Sequence, residues 1–116
     1  MRAEDNLQRA IVDYIRTVAP TCFVFAIPNG QMRSAAAGQM LKLTGMVAGV
    51  PDLCVIEPGG TARFIEVKTD SGQLRKEQRA ILDRFMTMGV PYAVVRSIND
   101  VKTALEYWRI STREAN

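Results

Sequence analysis

The chain contains no histidine, and that absence removes much of hydrolytic chemistry: no imidazole general base, no serine or cysteine triad, no His-ligated zinc. Any hydrolysis has to run on carboxylates, lysine or a bound metal ion. Cysteine is scarce too. Cys22 and Cys54 stand far apart, without CxxC spacing, each inside an apolar run, and read as reduced core thiols of a cytosolic protein. No apolar stretch approaches the roughly 18 residues of a membrane span, and no signal-peptide core opens the chain. A soluble, cytoplasmic protein with no membrane partner is expected. Internal repeats, low-complexity segments and interdomain linkers are also missing. What remains is 116 residues, 47% of them hydrophobic, enough for a single domain over 1–116 with one core. Fifteen Lys and Arg against twelve Asp and Glu leave a net charge of +3, which permits a polyanionic partner without demanding one.

Periodicity divides the chain into elements. Leu7, Ala10, Ile11, Tyr14, Ile15 and Val18 recur at helical spacing from Glu4 until Pro20. Cys22 to Ile27 is strand-like and ends at the turn residues Pro28, Asn29 and Gly30. Ser34 is positioned to cap a weaker helix through Ala35 to Leu43, which Gly45 closes. Leu53 to Glu57 and Ala62 to Lys68 flank Pro58-Gly59-Gly60, so an antiparallel hairpin is expected. Leu74, Gln78, Ile81, Leu82, Phe85 and Met88 lie along one helical face before Gly89, and Pro91 to Val95 resumes as a strand through a right-handed parallel crossover. A last helix is expected from Asn99 to Arg109, with Val101, Leu105 and Trp108 inward and a frayed polar tail.

Chemistry concentrates in the hairpin. Alternation puts Phe64, Glu66 and Lys68 on one face of the second strand and Ile65 and Val67 on the other. The first strand begins just after Asp52, so a tight turn brings Asp52 level with the far end of its partner, beside Glu66 and Lys68. Two carboxylates so close raise each other's pKa unless a cation lies between them, and hard oxygen ligands select Mg²⁺ or Mn²⁺. A neighbouring lysine can orient or deprotonate an attacking water, or stabilise charge on a phosphate. Taken alone, the triplet Glu66-Val67-Lys68 reads more simply as a solvated strand face with a weak ion pair.

The longer string Gly49-Val50-Pro51-Asp52-Leu53, then Phe64-Ile65-Glu66-Val67-Lys68, then Gly72-Gln73-Leu74 and Gln78 resembles the virus-type replication-repair nuclease family, VRR-NUC, of the PD-(D/E)XK superfamily. The likeness extends from about Glu4 to Leu105 and is to the stand-alone viral or phage type. It implies an α/β domain of the restriction-endonuclease type, with a mixed sheet of about four strands flanked by helices. Asp52 and Glu66, joined by the carbonyl of Val67, would be metal ligands, Lys68 the catalytic lysine and Gln78 a supporting active-site residue. Gln78 also sits on an apolar stripe, where a glutamine needs a partner; a bond to backbone would serve equally well. The family's first-helix glutamate matches Glu4, which shares a face with Leu7, Gln8 and Ile11, though Glu4 and Asp5 would also complement the helix dipole.

For contacts to DNA phosphates, Arg33 in the loop after Pro28, and Arg75, Lys76 and Arg79 at the start of the helix of Gln78, are the candidates, against the plainer reading of solvated charge. The implied activity is divalent-metal-dependent hydrolysis of DNA by a homodimer acting on branched DNA such as Holliday junctions. Met32, Met40, Leu43, Met46 and Val47 are available for the dimer contact. A flap or duplex nuclease of the same fold, or a non-catalytic DNA-binding domain, are the alternatives.

Overall fold

The computed structural model describes residues 2–28 and 35–113. Among the described residues, four helices and four strands follow in the order α1 (Ala3–Val18), β1 (Phe23–Ala26), α2 (Ala35–Leu43), β2 (Leu53–Ile56), β3 (Ala62–Val67), α3 (Lys76–Met88), β4 (Tyr92–Val95) and α4 (Ile98–Tyr107). The strands form one mixed sheet in the order β1-β2-β3-β4, antiparallel except for the parallel pair β3 and β4. This is the expected α/β architecture. Among the described residues no helix is long and apolar enough to cross a membrane.

The hairpin forms because two β-branched runs are joined where Gly59 and Gly60 supply consecutive positive φ angles of 100° and 98°. Its register pairs Leu53 with Ile65 and Ile56 with Ala62. Strand alternation then sorts the side chains. Val24, Leu53, Val55, Ile65, Val67 and Val95 enter the main core, where Ile11 and Ile15 of α1 and Val101 and Leu105 of α4 meet them. Phe64 and Glu66 point to the other side, where Phe64 packs against Phe85 of α3 with ring centroids 5.1 Å apart. The sheet thus lies between α1 and α4 on one face and α3 on the other.

Away from the site, the turn end of the hairpin is tied down by Arg63, which pairs with Glu57 and lies over the Trp108 ring. Ser97 caps α4 by accepting from the Asp100 amide at 3.0 Å.

Three expectations are corrected. Ala10 and Met88 lie at the surface, Met88 because α3 ends there at the left-handed Gly89 and nothing covers its last turn. Leu74 precedes α3 and does not belong to its first turn. The tail is not frayed through Arg113: Ile110 is buried, and the Arg113 amide donates to the Val18 carbonyl at 2.8 Å. That contact closes the last carbonyls of α1, which a chain reversal at Arg109 (φ 59°) brings within reach. The proposed cap Ser34 lies outside the described residues.

Candidate active site

Asp52 immediately precedes β2, and its Oδ2 accepts from the Val67 amide at 2.8 Å, which fixes the carboxylate against the end of β3. Glu66, one residue earlier on β3, is only 1% exposed. Its Oε2 accepts from Gln78 Nε2 at 2.8 Å, while its Oε1 is buried with no hydrogen-bond partner among the described residues. Lys68, 7% exposed, follows on the same side of the strand. The solvated-face reading of the Glu66–Lys68 triplet is therefore wrong, because α3 covers that face of the hairpin.

Four ionisable groups meet here. Burial pushes the Glu66 carboxyl up to about 8, and the charge and hydrogen-bonding reach of Asp52 push in the same direction. Lys68 opposes the rise, and the half-buried Glu4, from the first turn of α1, adds to it. Glu4, Asp52, Glu66 and Lys68 are thus brought into one electrostatic cluster from three separate elements. Among the described residues no three Asp, Glu or Cys side chains stand close enough to hold a metal together. A cation between Asp52 and Glu66 would draw its remaining ligands from backbone, water or substrate.

Gln78 resolves two readings into one. Its Oε1 accepts from the Arg75 amide at 2.8 Å, capping the start of α3, and this leaves its amide nitrogen to donate to Glu66. The backbone bond orients the side chain so that its amide nitrogen meets Glu66. Gln78→Leu should therefore weaken both ends: a loss of about 1–3 kcal/mol in unfolding free energy, from the unsatisfied Glu66 and Arg75 groups, together with reduced turnover. A variant that melts and turns over as wild type does would show that neither bond matters.

Glu66 also makes stability depend on pH. Its folded pKa, about 8, lies above its ordinary 4.5, so the unfolded chain ionises first as pH rises. The contribution of this group is intact below pH 4.5 and is lost progressively up to about pH 8, at no more than roughly 1.4 kcal/mol per pH unit. Melting in EDTA should show the wild type losing stability relative to Glu66→Gln across that window. A difference that stays flat, or grows with pH, contradicts the buried protonated carboxyl.

Family comparison decides what these groups belong to. The sequence profile of the VRR-NUC domain matches residues 4–99, a span containing Glu4, Asp52, Glu66, Lys68 and Gln78. The chain belongs to the VRR-NUC family. Its domain is of the PD-(D/E)XK nuclease type, a class that hydrolyses phosphodiester bonds. Two solved structures share the fold. One, a VRR-NUC domain, superposes with a TM-score of 0.66 at 24% identity, covering 90% of this chain and 96% of that one. The other, a VRR-NUC domain protein, has a TM-score of 0.72 at 17% identity, covering 96% and 92%. No curated protein matches the chain.

Of the remaining candidates for this VRR-NUC chain, Arg75, Lys76 and Arg79 are exposed at the start of α3, on the edge beside Gln78, while Arg33 lies outside the described residues. The roles of two residues escaped the sequence reading. Gly49, at φ 90°, packs so tightly that a Cβ there would come within 2.7 Å of the Glu77 carbonyl group. It seats the loop leading to Asp52 directly on the turn that bears Gln78. Arg96 follows β4 and donates through Nη1 to the carbonyls of Thr69 and Gly72, at 2.6 Å each. Its position directly after a parallel strand, at the end where the sites of such sheets form, was the signal available in the sequence.

Proposed function

We propose that this chain is a divalent-metal-dependent DNA endonuclease, with Asp52, Glu66 and the Val67 carbonyl holding Mg²⁺ or Mn²⁺ and Lys68 acting on the substrate. One observation carries the reading: the buried Glu66 carboxyl, one oxygen of which has no partner among the described residues, stands beside a second acid, Asp52. A buried acceptor without a donor is costly, and two adjacent acids with one such oxygen suit a hard cation better than any neutral arrangement. The ion, when bound, supplies Lewis-acid polarisation of the phosphate and a more acidic water.

The protein's own groups do the rest. The Val67 amide holds Asp52 in place, and Gln78 fixes the plane of the Glu66 carboxylate by donating to one of its oxygens. Lys68 presents an ammonium at the edge of that pair, where it stabilises negative charge developing on the phosphate and orients the incoming water. Glu4 adds negative potential, which raises the proton affinity of Glu66 and would attract a cation in the same way. The one domain, 1–116, contains all of these parts. Its two free cysteines suit a reducing cytoplasm.

Branched DNA and a two-fold dimer complete the proposal. Among the described residues, Met40, Leu43 and Val47 on and after α2 are strongly exposed, Leu43 at 82%, and Phe23 at the sheet edge is 64% exposed. Met46 is half-buried, and Met32 lies outside the described residues. An apolar surface of this kind favours self-association, and a two-fold pair would present two sites to symmetry-related strands of a junction.

Cleavage of a synthetic four-way junction and a matched linear duplex, each with and without Mn²⁺ or Mg²⁺, tests the reading. The junction should be cut faster, only with the ion, and by a species of twice the 12.9 kDa chain mass in light scattering. Cutting of flaps or duplex at equal rate shifts the substrate to the alternative nuclease class. No cutting of any DNA with either ion leaves a non-catalytic binding domain.

A further inference from the structure

A cleft of about 480 Å³ opens between the loop of residues 70–74 and the side chains of Arg79 and Arg96. The register that pairs Val67 with Val95 puts Arg96 next to Lys68 at the ends of the two parallel strands, and the Lys68 amide donates to the Val95 carbonyl at 3.0 Å. Arg96 commits one end of its guanidinium to the chain, through the Nη1 contacts to Thr69 and Gly72 and a longer one, 3.4 Å, to the Asp70 carbonyl. A guanidinium has five N–H groups. Those on Nε and Nη2 find no partner among the described residues, and neither does the side chain of Arg79 across the cleft. Asp70 also lines the cleft, but its side chain is exposed and screened by water, so two guanidinium groups against one carboxylate leave the cleft cationic.

Resting on the nuclease reading above, we propose that this cleft seats the phosphate next to the scissile one on the cut strand, with Arg96 and Arg79 as its two walls. A polyanionic strand whose scissile phosphate lies at Lys68 has to place a neighbouring phosphate within one nucleotide of it, and the cleft is the cationic recess adjoining Lys68. Arg96 is suited to the task because the loop carbonyls hold its plane in advance, leaving a fixed edge of donors for phosphate oxygens. The same contacts pin the loop that leads from Lys68 to α3, so substrate positioning and the placement of Lys68 are linked through one residue.

The test is equilibrium binding of a fluorescent four-way junction and its matched duplex, by anisotropy across a range of NaCl concentrations. In Arg79→Gln/Arg96→Gln the slope of log affinity against log salt should fall by about 0.9, the value of one phosphate contact, with affinity down roughly tenfold. Arg84→Gln removes the same charge from α3 outside the cleft and should change neither. Replacing the phosphate beside the cut with a neutral methylphosphonate should weaken the wild type but not the double variant. Should Arg96→Gln disturb the loop, visible by circular dichroism, Arg79→Gln alone still decides the matter, since its exposed side chain supports nothing in the fold; it should lose affinity at least threefold. If the cleft variants bind like Arg84→Gln while wild type binds and cuts DNA, the cleft proposal fails and the nuclease reading stands. If wild type binds no DNA, both fail.

Discussion

Lys68→Ala should reduce DNA cleavage by roughly 10²–10⁴-fold, the range spanned by loss of a proton-transfer group or a charge-stabilising donor, while the protein stays folded. The ammonium faces a site and not the main core: Ile65 and Val67 carry the packing of β3, and Lys68 lies on the opposite side with Glu66. Its loss also removes a neighbouring positive charge that holds the Glu66 pKa down, so Glu66 should protonate more readily. Lys68→Met keeps the aliphatic stem and separates the loss of charge from the loss of packing. Both variants should lose kcat with little change in KM, the pattern of a group that acts mainly in the transition state. Measured single-turnover rates equal to wild type in either variant would remove Lys68 from the chemistry.

Gly49→Ala should destabilise the fold by about 3 kcal/mol or more and abolish turnover, although Gly49 touches neither substrate nor ion. Two costs combine. A φ of 90° is strained for any residue with a Cβ, at roughly 1–2 kcal/mol. The new methyl would also meet backbone atoms of Glu77 and Gln78 at 2.7–2.9 Å, and backbone cannot rotate away as a side chain can. Relief requires the Asp52 loop and the start of α3 to move apart, which pulls Asp52 from the Val67 amide or Gln78 from Glu66. Gly59→Ala is the control. Its φ is 100°, but nothing lies within 4 Å of the added Cβ, so it should show the strain without the collision. Equal unfolding free energies for the two variants would mean that the close approach at Gly49 has no energetic weight.

How far the sequence could be read follows from the range of the forces involved. Asp52, Glu66 and Lys68 were legible together because strand alternation and a short glycine turn are local rules, and they fix which side chains meet across a hairpin. The parallel return of β4 was legible for the same reason: a helix between two strands leaves few topologies. The burial of Glu66 was not, because it depends on α3 folding back over the hairpin, a contact between distant segments. Gln78 showed only that it needed a partner; its double role emerged once the Arg75 amide and Glu66 were in place. Gly49 was legible only as the first residue of the motif, since its packing role depends on another segment's backbone. The Arg113 contact to Val18 joins the two ends of the chain, and no pattern within either end announces it.

The central claim is that Asp52 and Glu66 together form a divalent-cation site. Crystals soaked in Mn²⁺, with diffraction collected at the manganese absorption edge, measure it directly. The account predicts an anomalous peak between Asp52, Glu66 Oε1 and the Val67 carbonyl, with oxygen ligands at about 2–2.5 Å, the distance range of hard divalent cations, and its loss in Asp52→Asn. A peak elsewhere, or none at a concentration that supports cleavage, with the two carboxylates turned apart, would contradict it.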